Sequence, residues 1–579
     1  MPSAIPGRED ADHTPPNGLD LIDSTRHERD DTTRYLCAAA HLDADYANKA
    51  IKEFLVEPTR PVTPTPGVDV GTVLAESIAA RTRRKLVDSA LIVLAVALVI
   101  VAPMNLLLAW VVLAVAVAIP RYLRRTGKSV SSKRGPLLIV TVISVVAVIA
   151  VFFGDEISKM VDDLSDSAVA EQYDDYADTS FDVGGIMIIV FLGLALAALL
   201  ADRVVVWRLL TRRFHRGAGS RRVPSPGLES RQVFQFSPNR FLTQLRERYL
   251  GPRTLSAPED DPGPGKPAPI VVHRGYNPFV GGGRLHRPWS IAIPLLKNPT
   301  VDKAIPLNTA TLYAGIVDEA TKLRSSTDLT PGGRLRTLAV DELIVVSAAE
   351  LIDHLGDPVS TWFLAGTGTA PYDQLSPKRT VAVRDQPVEW ARYYRCFRVE
   401  TWDRDLVLAV YLHVAMDDSM LYIEWTPSVL GPIKEEFQGI DTESRSVWRP
   451  IRQAIADLAM LPASIPRRLG HTFTFLRPLR DDRGVIDSDK YGALHSLREL
   501  VADTNMHSYF QLADRDRYLK MLESRVVLAV SKLLTDAGYL TASFDAQAAT
   551  IIQNNVHIGG SVTGTVVAGT GNTVATPKP

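Results

Sequence analysis

From Ser89 to Ile119 the chain reads SALIVLAVALVIVAPMNLLLAWVVLAVAVAI, without one ionisable side chain. A single helix of that length reaches about 45 Å at 1.5 Å per residue, against a hydrocarbon layer of roughly 30 Å. Ala102-Pro103-Met104-Asn105 interrupts the run near its middle, where a chain can turn. Residues 86–120 are therefore expected to form a hairpin of two short helices. Arg81, Arg83, Arg84 and Lys85 precede the run, and Arg121, Arg124, Arg125 and Lys128 follow it. Basic flanks stay on the cytoplasmic side, so two crossings fit where one does not.

Two further apolar runs cover Pro136 to Phe153 and Gly184 to Ala201, and the segment between them is crowded with Asp and Glu. The order basic, apolar, acidic, apolar, basic predicts a cytoplasmic loop at 121–135, spans at 136–153 and 184–207, and an external loop at 154–183. The expected fold is thus a membrane α-helical region of four short transmembrane helices, the first two a hairpin. It sits in the cell inner (plasma) membrane with both termini cytoplasmic.

At 579 residues the chain exceeds what one core organises. Residues 1–33 are polar, carry no cleavable signal and read as a disordered leader. Residues 34–85 read as a small helical region, with Leu42, Tyr46, Ala50 and Phe54 as a stripe at helical spacing. A basic and Pro-rich linker follows the membrane at 208–269. The next segment, 270–470, reads as an α+β domain: an antiparallel sheet with helices on one face. Its clearest pairing is DLVLAVYLHVA, a turn through Asp417 and Asp418, then MLYIEW; Thr380 to Val383 reads as a further strand. Residues 471–545 form a helical C-terminal segment with the stripe Leu519, Leu522, Val526, Val530 and Leu533, stopped by Gly538. An uncharged Gly/Asn/Val tail occupies 546–579.

Chemistry is sparse. A net charge of -1 gives no pull toward nucleic acid, and the two cysteines, Cys37 and Cys396, have no ligand-spaced partners. No metal, cofactor or catalytic constellation is expected, and no enzymatic activity. The apolar runs hold no interior Asp, Glu, Lys, Arg or His, which argues against an ion-coupled transporter. Gly281, Gly282, Gly283 and Arg284 form a loop whose N–H groups and guanidinium suit an anion, though no Gly-Lys-Ser/Thr follows. Arg392, Arg395 and Arg398 lie among Tyr393, Tyr394 and Phe397, but strand alternation splits them between two faces.

The segments TRYLCAAAHLDADYANKAIKEF, PGVDVGTVLAESIAARTRRKL, HRGYNPFVGGG and WDRDLVLAVYLHVAMDDSMLYIEW resemble a group of uncharacterised multi-pass membrane proteins of actinomycete bacteria. That group implies no established activity. The tail is similar to bacterial amyloid-signalling motifs related to the RHIM motif, whose core is aliphatic, Gln, aliphatic, Gly and, three positions on, Asn. Val566, Val567, Ala568, Gly569 and Asn572 occupy those places, with Val562 before them and Val574 after, and Val567 stands in place of Gln. This resemblance implies homotypic stacking. The functional expectation is a membrane-tethered interaction or signalling protein. Its partners are the lipid bilayer, other copies through the tail, and an unidentified cytoplasmic protein. A membrane-perturbing effector or channel is the alternative.

Overall fold

The structure, a computed structural model, describes residues 31–63, 65, 67–125, 183–215, 233–250, 256–301, 304–325, 335–442, 446–481 and 485–554. The leader up to residue 30, the apolar run 136–153, the acidic loop up to residue 182 and tail residues 555–579 lie outside the described residues.

Helices α1 (Asp31–Leu42), α2 (Ala44–Ile51) and the first half of α3 (Val70–Val101) build the N-terminal part. The Asp69 side chain starts α3 by accepting from the Thr72 N–H at 3.1 Å. Pro103 ends it, because the residue before a proline is driven out of the helical region; Ala102 is extended. Leu36, Ile51, Phe54, Leu74 and Ile78 bury their side chains here together with Phe214, Phe241 of α6 (Asn239–Leu245), Phe437 and Leu497. One core is thus assembled from segments before and after the apolar runs. Glu53 reinforces the union, accepting from Arg274 at 2.7 Å and from the Leu494 N–H at 2.8 Å.

The C-terminal half is built on an eight-stranded mixed sheet: β1 (Ala268–His273), β2 (Arg284–Leu285), β3 (Trp289–Pro294), β4 (Leu338–Ser347), β5 (Gln374–Leu375), β6 (Ala391–Thr401), β7 (Leu406–Met416) and β8 (Met420–Leu430). The order is β2-β8-β7-β6-β4-β1-β5, with β3 also pairing along β8. In the β7–β8 hairpin the Asp417 carboxylate accepts from the Ser419 and Met420 N–H groups, both at 2.7 Å, and is held below the usual carboxylate range by the bonds to Ser419 and Met420. Alternation sends Ile344, Phe397, Leu408, Val410 and Trp425 to one face. There α7 (Thr309–Thr321) and α11 (Tyr509–Asp536) cover them, α7 through Tyr313 and Ile316 and α11 through Leu522, Val526 and Val530. Gly538 follows α11 at φ +80°, the left-handed conformation a glycine supplies without strain.

The four-helix membrane expectation is overturned. Among the described residues one helix, Gly184–Arg213, is long and apolar enough to cross a membrane; Met104–Ala114 is apolar but short. The physical reason is arm length: on either side of Pro103 each apolar stretch falls below the ~20 residues a span needs. Nor do residues 86–120 form a simple hairpin. The first arm is the continuation of α3, which runs unbroken from Val70, and the second, α4 (Met104–Arg125), lies against α9 (Trp448–Ala459) and α10 (Leu461–Phe473). Helix α10 also packs along α3, while α5 (Val183–Arg208) packs on α3 and α9.

Other differences have local causes. The sheet is not purely antiparallel, because β1 pairs parallel to β4 from Ile270↔Ile344 to His273↔Ser347. Thr380 to Val383 belongs to helix α8 (Pro377–Asp385), where Ser376 as N-cap and Pro377 at the first position start a helix. The uncharged stretch expected to begin the tail at 546 continues helix α12 (Ala542–Asn554), docked through Phe544 and Ala548 into the sheet core.

Candidate functional site

The second face of the sheet is small and incompletely filled. Leu343 and Val345 of β4, Tyr394 and Cys396 of β6, and Ala409 and Tyr411 of β7 point there, with Phe279 and Val280 packed on them. Phe279 stacks on Tyr411 at 3.9 Å between centroids and meets Tyr394 edge-on at 5.0 Å. Short side chains leave the space above the sheet open: Ala409 stands opposite Arg398 in register, and Cys396 is the next residue inward. A cavity of about 570 Å³ results, floored by Val271, Leu343, Cys396 and Ala409, and bordered by Thr32 and Val68 of the N-terminal region. Burial pushes the Cys396 thiol up to about 12, so it stays protonated and is a poor nucleophile.

Charged groups ring this cavity. The Arg398 guanidinium sits 3.3 Å from Glu400 and 3.5 Å from Asp341, and its buried Nε makes no hydrogen bond. Arg404 reaches the other oxygen of Glu400 at 2.9 Å. Arg498 is buried and donates to three carbonyls, those of Arg404, of Asp405 at 2.9 Å and of Gly431 at 3.2 Å; its own Nε is unpaired. Desolvation brings its guanidinium down to about 10, with the Asp405 and Glu400 charges opposing the fall.

The β6–β7 connection that carries Arg404 is strained. Trp402, Asp403 and Arg404 stand consecutively at φ 55°, 54° and 66°. None is glycine, so each pays a steric cost, of order 1–3 kcal/mol for such positions. Polar contacts hold the turn: Arg498 on its carbonyls, Trp402 Nε1 donating to Asp514 at 3.0 Å, and Asp405 accepting from Gln438 at 2.7 Å and Gln511 at 3.1 Å.

The structure divides the glycine loop. Gly281 and Gly282 line the cavity, whereas Arg284 is exposed in β2 and borders a separate pocket with His495 and Arg515. The N–H groups of Gly281 and Gly283 converge as the anion reading requires, but on an internal carboxylate: Glu499 accepts from them at 3.0 and 2.8 Å. Gly281 and Gly283 have φ of 94° and 89°, and a Cβ on Gly282 would lie 2.5 Å from the Tyr411 hydroxyl. The glycines therefore serve close approach. Glu499 carries a signal that sequence reading passed over, since Ser496 and Glu499 form a capping box: the Ser496 N–H donates to Glu499 at 2.7 Å and the Glu499 N–H to Ser496 at 3.2 Å. Arg498 has no comparable signal, because it meets the 402–405 turn only in the folded chain.

Arg392 approaches Glu424 at 3.8 Å, while Arg395 binds Glu342 at 3.0 Å and lies over the Tyr313 ring on the opposite face. His413 is satisfied by the Tyr393 carbonyl at 2.8 Å. Among the described residues no group of His, Cys, Asp or Glu is arranged to hold a metal ion. The tail positions Val562, Val566, Val567, Ala568, Gly569, Asn572 and Val574 lie outside the described residues.

A second feature surrounds the apolar helices. The end of α3 and the beginning of α5 run together, joined by Leu91, Ala195 and Leu199. Beyond Leu91 helix α3 still buries Ala95 and Leu98, but its other side is bare at Val93, Val96, Val99 and Ile100, and α5 is bare at Ile189 and Val190; Ile100 is 78% exposed and Ile189 72%. Where the bare zone stops, ion pairs form a collar. Asp88 takes Arg468 and, at 3.6 Å, His471; Asp202 takes Arg83; Asp457 takes Arg203. Lys85 donates to the Thr472 and Thr474 carbonyls at the end of α10, at 3.2 and 3.0 Å, where the helix dipole favours a cation. Trp448, Phe473 and Phe475 stay exposed on the flanking α9–α10 segment.

Residues 288–567 match the model of a family described as the AbeC-like domain, just under half of the chain. The match begins after the glycine loop and takes in β3 to α12, including the strained turn and the α9–α10 pair. Neither a curated protein nor a solved structure matches the chain.

Proposed function

We propose that this chain is a membrane-tethered interaction or signalling protein, seated in lipid by the bare ends of α3 and α5 together with α4. The observation that carries the reading is the abrupt change at the collar. Apolar side chains exposed over a continuous zone are rare on a surface that meets only water. Here they end at a ring of paired charges with exposed Trp448, Phe473 and Phe475 beside it, the composition of a lipid–water boundary. The apolar part of α5, from Val183 to Ala201, extends about 28 Å, close to the hydrocarbon thickness.

Orientation follows from the shared core. Because residues 31–80 and 433–501 pack into one body, they lie on one side of any membrane that the intervening chain enters. The basic residues around that body favour the cytoplasmic side. The tail's similarity to amyloid-signalling motifs supports association of copies, with the membrane concentrating them.

Ile100→Arg and Ile189→Arg distinguish lipid from water at these positions. Both side chains are already exposed, so in water the substitutions leave stability within about 0.5 kcal/mol. In lipid each costs roughly 2.5–3.5 kcal/mol at mid-bilayer depth. The double variant is expected to shift the chain out of the membrane fraction of expressing cells; an unchanged distribution contradicts the reading.

A further inference from the structure

The second face of the sheet holds a cavity that the membrane reading does not use, and its chemistry is specific. Its floor is apolar and built of short side chains, while its border carries Lys266, Arg398, Arg404 and Arg498 against Asp341 and Glu400. The remaining lining charges, Arg395 and Glu342, neutralise one another at 3.0 Å. Two positive charges are therefore left over among the lining residues. Asp405 acts on Arg498 from farther away, but its carboxylate is already bonded to Gln438, Gln511 and the Ile433 N–H.

The cations converge. Arg398 and Arg404 share the two oxygens of Glu400, and Arg498 holds the backbone of Arg404. Neither ion pair of Arg398, Nε to Glu400 at 3.3 Å or the terminal nitrogen to Asp341 at 3.5 Å, is a hydrogen bond, so Nε faces a carboxylate without bonding to it. The guanidinium is half-buried, and a donor nitrogen such as its Nε, shut away from water without a hydrogen bond, is costly unless something arrives to accept from it. The strained 402–404 turn holds Arg404 at this place, and strain in a folded chain persists where the surroundings enforce it.

We propose that the cavity binds a small organic anion, its carboxylate or phosphate group accepting hydrogen bonds from Arg398 and Arg404, its body resting on Leu343, Cys396 and Ala409. The volume lies within the 300–1,000 Å³ typical of small-molecule sites, and is far more than one inorganic anion fills. Asp341 and Glu400 accept from hydroxyl or amino groups of the same molecule, which selects a polar metabolite over a fatty acid. This inference does not rest on the membrane reading, since every residue it uses lies in the body below the collar.

The test uses the full-length protein in detergent, titrated with adenosine 5′-monophosphate, citrate and inorganic phosphate while thermal stability and heat of binding are followed. Adenosine 5′-monophosphate or citrate is expected to raise the melting temperature and to bind more weakly as salt increases. Binding of the nucleotide together with inorganic phosphate identifies a phosphate site, and binding of citrate alone a carboxylate site. Arg398→Gln is expected to weaken binding by about tenfold or more, the loss of one charge-assisted contact. Arg392→Gln, on the same strand beside Glu424, leaves it unchanged. No response to any probe at millimolar concentration overturns the proposal, as does equal affinity in Arg398→Gln. Should that variant fail to fold, binding by the natural chain that does not depend on salt overturns it equally.

Discussion

Glu76→Ala is expected to lower the stability of the helical core by about 3–5 kcal/mol, the range for removing one partner of a buried ion pair. Glu76 lies wholly inside α3, with no solvent exposure. Its oxygens face His41 Nε2 at 3.0 Å and Arg213 at 3.2 Å, so it joins α1 to the segment following α5. Alanine removes the carboxylate that both the buried His41 ring and the half-buried Arg213 guanidinium face. The melting temperature of the purified chain is expected to fall by on the order of 10 °C; a change within about 2 °C contradicts this role. The same cluster gives the core a pH dependence. Burial pushes His41 below its ordinary value, against the pull of Glu76. A histidine lowered on folding contributes stability above its unfolded value, about 6.5, and loses it as pH falls through the lower folded value. Acidification below that range therefore destabilises the natural chain, and His41→Gln flattens the dependence.

Glu499→Ala is the second large effect, expected to cost about 3 kcal/mol or more. Three part-buried N–H groups, those of Gly281, Gly283 and Ser496, lose their acceptor together, at roughly 1–3 kcal/mol for each one left unsatisfied. Glu499→Gln retains an acceptor oxygen and should cost much less. Hydrogen exchange at Gly281 and Gly283 is the sharper measurement: it accelerates in the alanine variant and stays slow in the glutamine one. Equal exchange in all three chains contradicts the account. Burial raises the Glu499 carboxyl, although the three N–H groups pull it down. Its sign is opposite to that of His41. The contribution is fully present below the unfolded carboxylate value and is lost as pH rises through the folded one.

Local patterns carried much of the sheet domain into view. The alternation of β7 and β8 around Asp417, and the stripe from Leu519 to Val530 closed by Gly538, act over short windows, and the chain folds there as they dictate. Thr380 to Val383 misleads because its three β-branched residues, Thr380, Val381 and Val383, are outweighed by the Ser376-Pro377 start signal. The run from Ser89 to Ile119 misleads for a different reason. Hydropathy reports what avoids water, not what covers it, and α4 is flanked by α9 and α10 from more than three hundred residues away. The glycine loop does gather N–H groups, but their acceptor, Glu499, belongs to the chain itself. Arg398, Arg404 and Arg498 come together through a strand, a strained turn and a distant 3₁₀ segment. No single stretch of sequence contains all three.

The account turns on the bare zone of α3 and α5 being in contact with lipid. Washing membranes from expressing cells with alkaline carbonate, without detergent, and centrifuging at high speed tests this most directly. Full-length chain retained in the pellet, and released only by detergent, is the predicted result. Its appearance in the carbonate supernatant would contradict the account.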